Sequence, residues 1–105
     1  MDQDNQALSA DEIVQLSKEY TFFSWSVQSQ VNPIPVEKAD GVYFWDANGK
    51  RYIDFSSQLM NTNIGSQHPR VVKAIQDQAA KLCCVHPGNT TAPRALLGKK
   101  LAEVT

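Results

Sequence analysis

The polar and apolar positions of the chain fall into periodic blocks separated by turn signals. The first block opens at Ser9-Ala10-Asp11-Glu12. A serine three residues before a glutamate is the form of a capping box, in which the hydroxyl accepts from a backbone N–H and the carboxylate reaches back. Ile13, Leu16 and Tyr20 then recur at helical spacing, which predicts a short amphipathic helix from about Ala10 to Tyr20. Asn32-Pro33-Ile34-Pro35 cannot be helical, because each proline biases its predecessor toward an extended backbone. Residues 24–35 therefore read as an extended crossing segment. Next come a short strand at Val36-Glu37-Lys38-Ala39, a turn at Asp40-Gly41, and two aromatic, β-branched runs, Val42-Tyr43-Phe44-Trp45-Asp46 and Arg51-Tyr52-Ile53-Asp54-Phe55. Two turns compete between those runs. Asn48-Gly49 fits a two-residue type I′ loop. Asp46 and Gly49 equally fit the ends of a type I turn with Gly49 in the left-handed region. The choice sets the cross-strand register; either gives a three-stranded antiparallel meander.

Residues 56–67 form a polar link rich in hydroxyls and amides that carries Leu59, Met60 and Ile64, with Gly65 marking a turn or a close backbone approach. Pro69 suits the first position of a helix. Val71, Val72, Ile75, Ala79 and Leu82 follow with the 3.6-residue period, and that helix is expected to stop near Leu82 to Cys84. His86-Pro87-Gly88-Asn89 reads as a turn. Thr90 or Thr91 is placed to cap a further helix with Leu96, Leu97, Leu101 and Val104 as its apolar stripe. The fold class is α+β: an N-terminal helix, a meander and two further helices. The last helix carries no glycine, asparagine or proline stop signal, which points to a truncated segment.

Composition narrows the class of protein. The chain has 105 residues, 42% of them apolar and 20% charged, with net charge −1. That is a globular composition of one domain at most, with no basic stripe of the kind that tracks nucleic acid. Residues 1–11 are mostly polar and are expected to fray. No run approaches the ~20 apolar residues that span a bilayer, and no positive start and apolar run mark a signal peptide, so no membrane association is expected and the cytoplasm is the expected compartment. Cys83 and Cys84 are adjacent, which disfavours a mutual disulfide; two reduced, partly buried thiols are expected. Cys83, Cys84 and His86 match no usual zinc spacing, so no metal site is expected. His68, next to Pro69, is expected to cap the helix or make a structural hydrogen bond. Asp46 and Arg51 are expected to pair across the hairpin.

The run Asp40-Gly-Val-Tyr-Phe-Trp-Asp-Ala-Asn-Gly-Lys-Arg-Tyr-Ile-Asp54, followed by Asn63-Ile64-Gly65-Ser66-Gln67-His68-Pro69, resembles a signature of class III aminotransferases, which are fold-type-I pyridoxal-phosphate enzymes. The helix from Val71 to Gln78 and the closing Leu97 to Val104 are similar to that family as well. Ser66 departs from the histidine the family often has there. Trp25-Ser-Val-Gln28 with Asn32-Pro-Ile-Pro35 resembles the branch that acts on ω-amino acids, amines and taurine-like donors, with pyruvate or 2-oxoglutarate as acceptor. The resemblance implies that residues 12–105 are the N-terminal segment of such an enzyme, contributing small-domain strands and the first helices. It implies pyridoxal 5′-phosphate as cofactor and a homodimer or tetramer as the assembly. It places Trp25, Leu59 and Met60 on the wall of the substrate pocket, and His86, Pro87, Gly88 and Asn89 near the active site of the neighbouring subunit. It places no catalytic residue here: the Schiff-base lysine and the phosphate cradle lie further along in the family. Lys18, Lys38, Lys50, Lys73, Lys81, Lys99 and Lys100 all sit at turns or on polar faces, where nothing depresses an ammonium for nucleophilic work.

Two other readings compete. A meander with Tyr43, Trp45 and Tyr52 resembles WW-type peptide binders, which lay proline-rich segments on an aromatic groove. Those modules need a tryptophan before the first strand turn and another after the third strand; here Trp25 lies too far upstream and none follows Phe55. The other is a short non-catalytic protein derived from an aminotransferase gene. Under the enzyme reading the segment alone is inactive and leaves a sizeable apolar patch uncovered.

Overall fold

The computed structural model describes residues 7–105, and the six residues before them, part of the expected frayed start, lie outside the description. The chain divides into two compact units, one ending at His68 and one beginning at Pro69.

The first unit opens with α1, Ala10–Tyr20, so Ala10 and Asp11 are helical rather than frayed. The expected capping box is present. The Glu12 N–H donates to Ser9 Oγ at 3.2 Å, and the Ser9 N–H and hydroxyl both donate to the Glu12 carboxylate at 2.8 Å. The packed face of α1 differs from the expected stripe. Ala10 is buried and Ile13, Val14 and Ser17 are half-buried, whereas Leu16 and Tyr20 are exposed. From Ala10 to Glu19 the helix lines one side of a groove of about 980 Å³ whose other side is Asn32–Pro35 with Asp46 and Tyr52 of the hairpin. Ala10, Val14 and Lys18, which face that groove, stand four residues apart, as on one helix face.

The segment after α1 is not simply extended. A turn at residues 24–26 puts Trp25 at φ 55, and a 3-10 turn follows at Gln28–Gln30. One side chain makes this bend. Gln28 accepts from the Phe23 N–H at 3.0 Å through Oε1 and donates through Nε2 to the carbonyls of Phe23 and Ser26. Beyond it the two prolines keep the chain extended into β1, Val36–Asp40.

β1, β2 (Tyr43–Asp46) and β3 (Arg51–Ile53) form the expected antiparallel sheet in the order β1-β2-β3. A β-bulge between Val36 and Lys38 shifts the β1–β2 register, and Phe44 stands opposite Tyr52 across β2–β3. Phe44 and Tyr52 stack at 4.9 Å with 7° between ring planes. Gly65 makes the close approach its sequence position implies. At φ +91, a Cβ there would stand 3.4 Å from the Cα of Gly41, and Gly41 and Ser66 exchange two backbone hydrogen bonds of 3.0 and 2.8 Å. This bridge closes the link of residues 54–66 back onto the start of β2.

The link is where the architecture departs most from expectation. Residues 57–60, expected to be irregular, form a single helical turn, α2, Ser57–Met60, with Ser57, Gln58, Leu59 and Met60 at φ 52, 49, 57 and 67. It is wound left-handed throughout.

In the second unit, α3 spans Pro69–Lys81 and α4 spans Ala92–Val104. Thr91 holds the cap position of α4, but its hydroxyl makes no capping bond. Pro93 in the first turn removes one of the N–H groups that a cap would otherwise satisfy. Leu96, Leu97, Leu101 and Val104 of the expected stripe are all exposed. Among the described residues only Ala10 and Asp46 are buried, each still 7% exposed, so neither unit closes a hydrophobic core of its own. No helix among them is long and apolar enough to cross a membrane.

Candidate functional site

Two aspartates organise the first unit. Asp46, at the end of β2, is 7% exposed. Its Oδ1 accepts from the N–H groups of Asn48 and Lys50 at 3.0 and 2.9 Å, and its Oδ2 accepts from the Tyr52 hydroxyl at 2.9 Å. The Gly49 N–H donates to the Asp46 carbonyl at 2.9 Å, and Gly49 sits at φ +80. The competition at the tip is thus settled as the type I turn with a left-handed glycine. Burial by itself would raise the Asp46 carboxyl; the N–H of Lys50, the hydroxyl of Tyr52, the N–H of Asn48 and the Lys50 ammonium together outweigh it and hold the group below its ordinary value. The expected Asp46–Arg51 pair does not form. The Asp46 oxygens are taken by the turn, and Arg51 lies 4.6 Å from the Tyr43 ring centroid instead.

Cations cover the other rings too: Lys38 stands 5.1 Å from the centroid of Trp45 and Lys50 4.9 Å from that of Tyr52. The aromatic faces that a proline-reading groove would offer already carry the chain's own charges.

Asp54, just past β3, makes the second cluster. Its Oδ1 accepts from the Gln58 N–H at 3.2 Å and the Ser56 hydroxyl at 3.4 Å, and its Oδ2 accepts from the Thr62 hydroxyl at 3.4 Å. Desolvation opposes ionisation here as well, and bonds from Gln58, Thr62 and Ser56 outweigh it, so Asp54 also lies below its ordinary value. The turn it serves is costly. Left-handed backbone costs roughly 1–2 kcal/mol for each residue with a Cβ, or about 4–8 kcal/mol over four such residues. A whole domain's net stability is only about 5–15 kcal/mol. Such backbone persists only where its surroundings over-determine it.

Three residues expected on the substrate wall share this property. Trp25, Leu59 and Met60 all have positive φ, and they are 89%, 56% and 72% exposed. Leu59 and Met60 belong to one turn, whereas Trp25 is carried separately by the Gln28 bend. Nothing in the sequence marks these positions as left-handed, since none is glycine or asparagine. The only legible signal was the dense supply of Asp, Ser, Gln and Thr around Leu59 and Met60.

In the second unit, His86 to Asn89 form a tight exposed turn. The Asn89 N–H donates to the His86 carbonyl at 2.9 Å and the Gly88 N–H to His86 Nδ1 at 3.0 Å. Acceptance at Nδ1 puts the ring proton on Nε2 in the neutral imidazole. Cys83 and Cys84 are free, as expected, but exposed rather than partly buried; they lie past the end of α3 at Lys81, a helix that itself buries no residue. No cluster of three or more metal-ligating side chains occurs among the described residues. His68 does not make its expected hydrogen bond through Nδ1, which is buried without a partner. The lysines are exposed; Lys73 pairs with Asp77 at 2.9 Å, and Lys99 and Lys100 with Glu103.

Residues 24–105 match the family model of class-III aminotransferases. A probable gamma-aminobutyrate transaminase 4 of Oryza sativa subsp. japonica is 38% identical over 74 residues, covering 69% of this chain and 15% of the relative. A mitochondrial ornithine aminotransferase of Drosophila ananassae is 46% identical over 50 residues, covering 48% of this chain and 12% of the relative. Among solved structures, a taurine:2-oxoglutarate aminotransferase from Bifidobacterium kashiwanohense, in complex with PLP and glutamate, aligns with TM-score 0.85 and 40% identity over 94% of this chain and 22% of its own. An (S)-enantioselective omega-transaminase from Thermomicrobium roseum aligns with TM-score 0.82 and 28% identity over 94% of this chain and 23% of its own. The chain therefore spans less than a quarter of each of these proteins.

Proposed function

Because the chain belongs to the class III aminotransferase family, we propose that it forms part of the substrate wall of an enzyme that moves an amino group from an ω-amino acid, amine or taurine-like donor to pyruvate or 2-oxoglutarate. The observation that carries this reading is the conformation of Trp25, Leu59 and Met60. Three large apolar side chains are presented outward on left-handed backbone, a geometry found where function overrides local preference. The similarity to a taurine:2-oxoglutarate aminotransferase supports the donor class.

Pyridoxal phosphate, the cofactor the family implies, supplies the electron sink for such chemistry when bound. The residues of this chain do not fit its anchorage. Every lysine is exposed, and Lys73 and Lys99 are bound to carboxylates. None is enclosed among apolar side chains. We assign the reactive amine and the phosphate cradle to chain outside these residues. What this segment contributes is shape. Leu59, Met60 and Trp25 pack against the donor's tail and exclude water from it. The His86–Asn89 turn reaches the neighbouring subunit of a dimer.

The test is amino transfer by the complete polypeptide, loaded with cofactor, from an ω-amino acid, an aliphatic amine and taurine to each of the two keto acids. We expect transfer with at least one pair, and a Leu59→Ala change that alters the ratio of kcat/KM between donors by about tenfold, the scale set by a few methylenes in a pocket. Absence of transfer from every donor, or a substitution that scales all donors equally, would overturn the reading.

A further inference from the structure

We propose that Asp54 is a positioning residue: its carboxylate keeps the Ser57–Met60 turn wound left-handed and so fixes the direction in which Leu59 and Met60 meet the amino donor. The inference rests on the reading that these two side chains line the donor pocket.

The bonds inside the turn do not select its hand. The Met60 N–H donates to the Ser56 carbonyl at 3.0 Å and the Asn61 N–H to the Ser57 carbonyl at 2.8 Å, a pattern that a right-handed turn makes with less strain. The Thr62 N–H also donates to the Ser57 carbonyl at 3.0 Å and Asn61 Nδ2 to the Gln58 carbonyl at 2.7 Å, which tie the turn to the residues after it; a group before it is needed to fix the hand from the sheet side. Asp54 is placed to do so. It touches Ser56 before the turn, the Gln58 N–H within it and Thr62 after it. A right-handed path would carry the Gln58 N–H to a different side of the chain and release that bond. Asp54 is itself held by the sheet, since its N–H donates to the Val42 carbonyl at 2.8 Å. The far end of the link is tied through Ser66 to Gly41, the residue next to Val42. Both ends of the link thus hang from two consecutive residues, Gly41 and Val42, just before β2. A line of rigid contacts runs from the sheet through one carboxylate to two exposed apolar side chains. The alternative role, simple support of a surface loop, predicts a loss of stability with no change in donor choice.

The test compares Asp54→Ala and Asp54→Asn in the complete, cofactor-loaded polypeptide, with the Gln58→Gly change added to each. For Asp54→Ala we expect the donor KM to rise about tenfold, as for a pocket wall displaced by a side chain's width, with the acceptor KM unchanged. Asparagine keeps one carbonyl oxygen for Gln58 and should restore most of the affinity. Glycine at position 58 lowers the cost of the left-handed hand and should recover part of what alanine loses. Independently of activity, amide exchange at Gln58 to Thr62 should quicken in Asp54→Ala while β2 stays protected. If alanine prevents folding, the asparagine variant and its exchange rates decide. Unchanged exchange across the turn, or a lowered melting temperature with donor KM unaltered, overturns the proposal. If Leu59→Ala also leaves donor preference untouched, the pocket reading has failed; if Leu59→Ala shifts preference and Asp54→Ala does not, only the role of Asp54 has.

Discussion

The hairpin tip and the turn after β3 use the same device and differ in one residue type. Each has an aspartate just at the end of a strand, and each carboxylate gathers backbone N–H and hydroxyl donors from the residues that follow. At the tip, the residue that must be left-handed is Gly49, for which positive φ has no steric cost. After β3 the left-handed residues are Ser57, Gln58, Leu59 and Met60, all with a Cβ. The first arrangement is a hairpin that would form in many proteins. The second keeps side chains where glycines would be cheaper, and two of those side chains are large and apolar. Strain retained at chosen side chains, beside a strain-free copy of the same device, marks Ser57–Met60 as the part of the first unit whose shape local folding preference does not explain.

Acid offers the largest way to break the comparison, because it removes both devices together. Asp46 and Asp54 are held below the ordinary carboxylate value of 3.8 in the folded chain. Groups of this kind add stability that is fully present above the unfolded value and is lost as pH falls through the folded one. Thermal unfolding followed at successive pH values should therefore show a plateau above that value and a fall below it. An Asp46→Asn/Asp54→Asn double variant should fall less steeply.

Single changes then separate the two regions by sign. Gly49→Ala puts a Cβ at φ +80 and should cost about 1–2 kcal/mol, read as a lower melting temperature. Gln58→Gly makes the opposite exchange. Relief of about 1–2 kcal/mol of left-handed strain, less the roughly 0.5–1 kcal/mol that glycine loses in entropy, should leave a gain of about 0–1.5 kcal/mol. Equal signs for the two variants would mean that the strain at Ser57–Met60 is not felt by the protein.

The legibility of the sequence follows the same division. The meander could be read because alternating aromatic and β-branched residues bracket a glycine, and because Gly65 announces its close contact with Gly41. The capping box of α1 was legible since both of its partners lie within four residues. The packed face of α1 was not. Leu16 and Tyr20 look like its stripe, but the groove shared with Asn32–Pro35 and the hairpin tip is tertiary, and it is Ala10 and Val14 that line it. The bend at Trp25 depends on a glutamine five residues from its backbone partner, a bond that no spacing rule encodes. Trp25, Leu59 and Met60 could be proposed for a substrate wall only by family resemblance. For Leu59 and Met60 the left-handed backbone runs against the preference of every residue in the turn, and the groups that hold it, Asp54 and the Gly41–Ser66 bridge, lie outside it.

The irregularity in β1 has a further consequence. In a three-stranded sheet the outer strands offer unpaired amide and carbonyl groups to any passing strand, the usual beginning of aggregation. Here one border is broken by the bulge between Val36 and Lys38, bears Glu37 and Lys38 as charged neighbours, and is preceded by Pro33 and Pro35. The other, Arg51–Ile53, is only three residues long. A sheet this small, with aromatic rings on both faces, thereby offers little free edge for a second copy of itself to pair with.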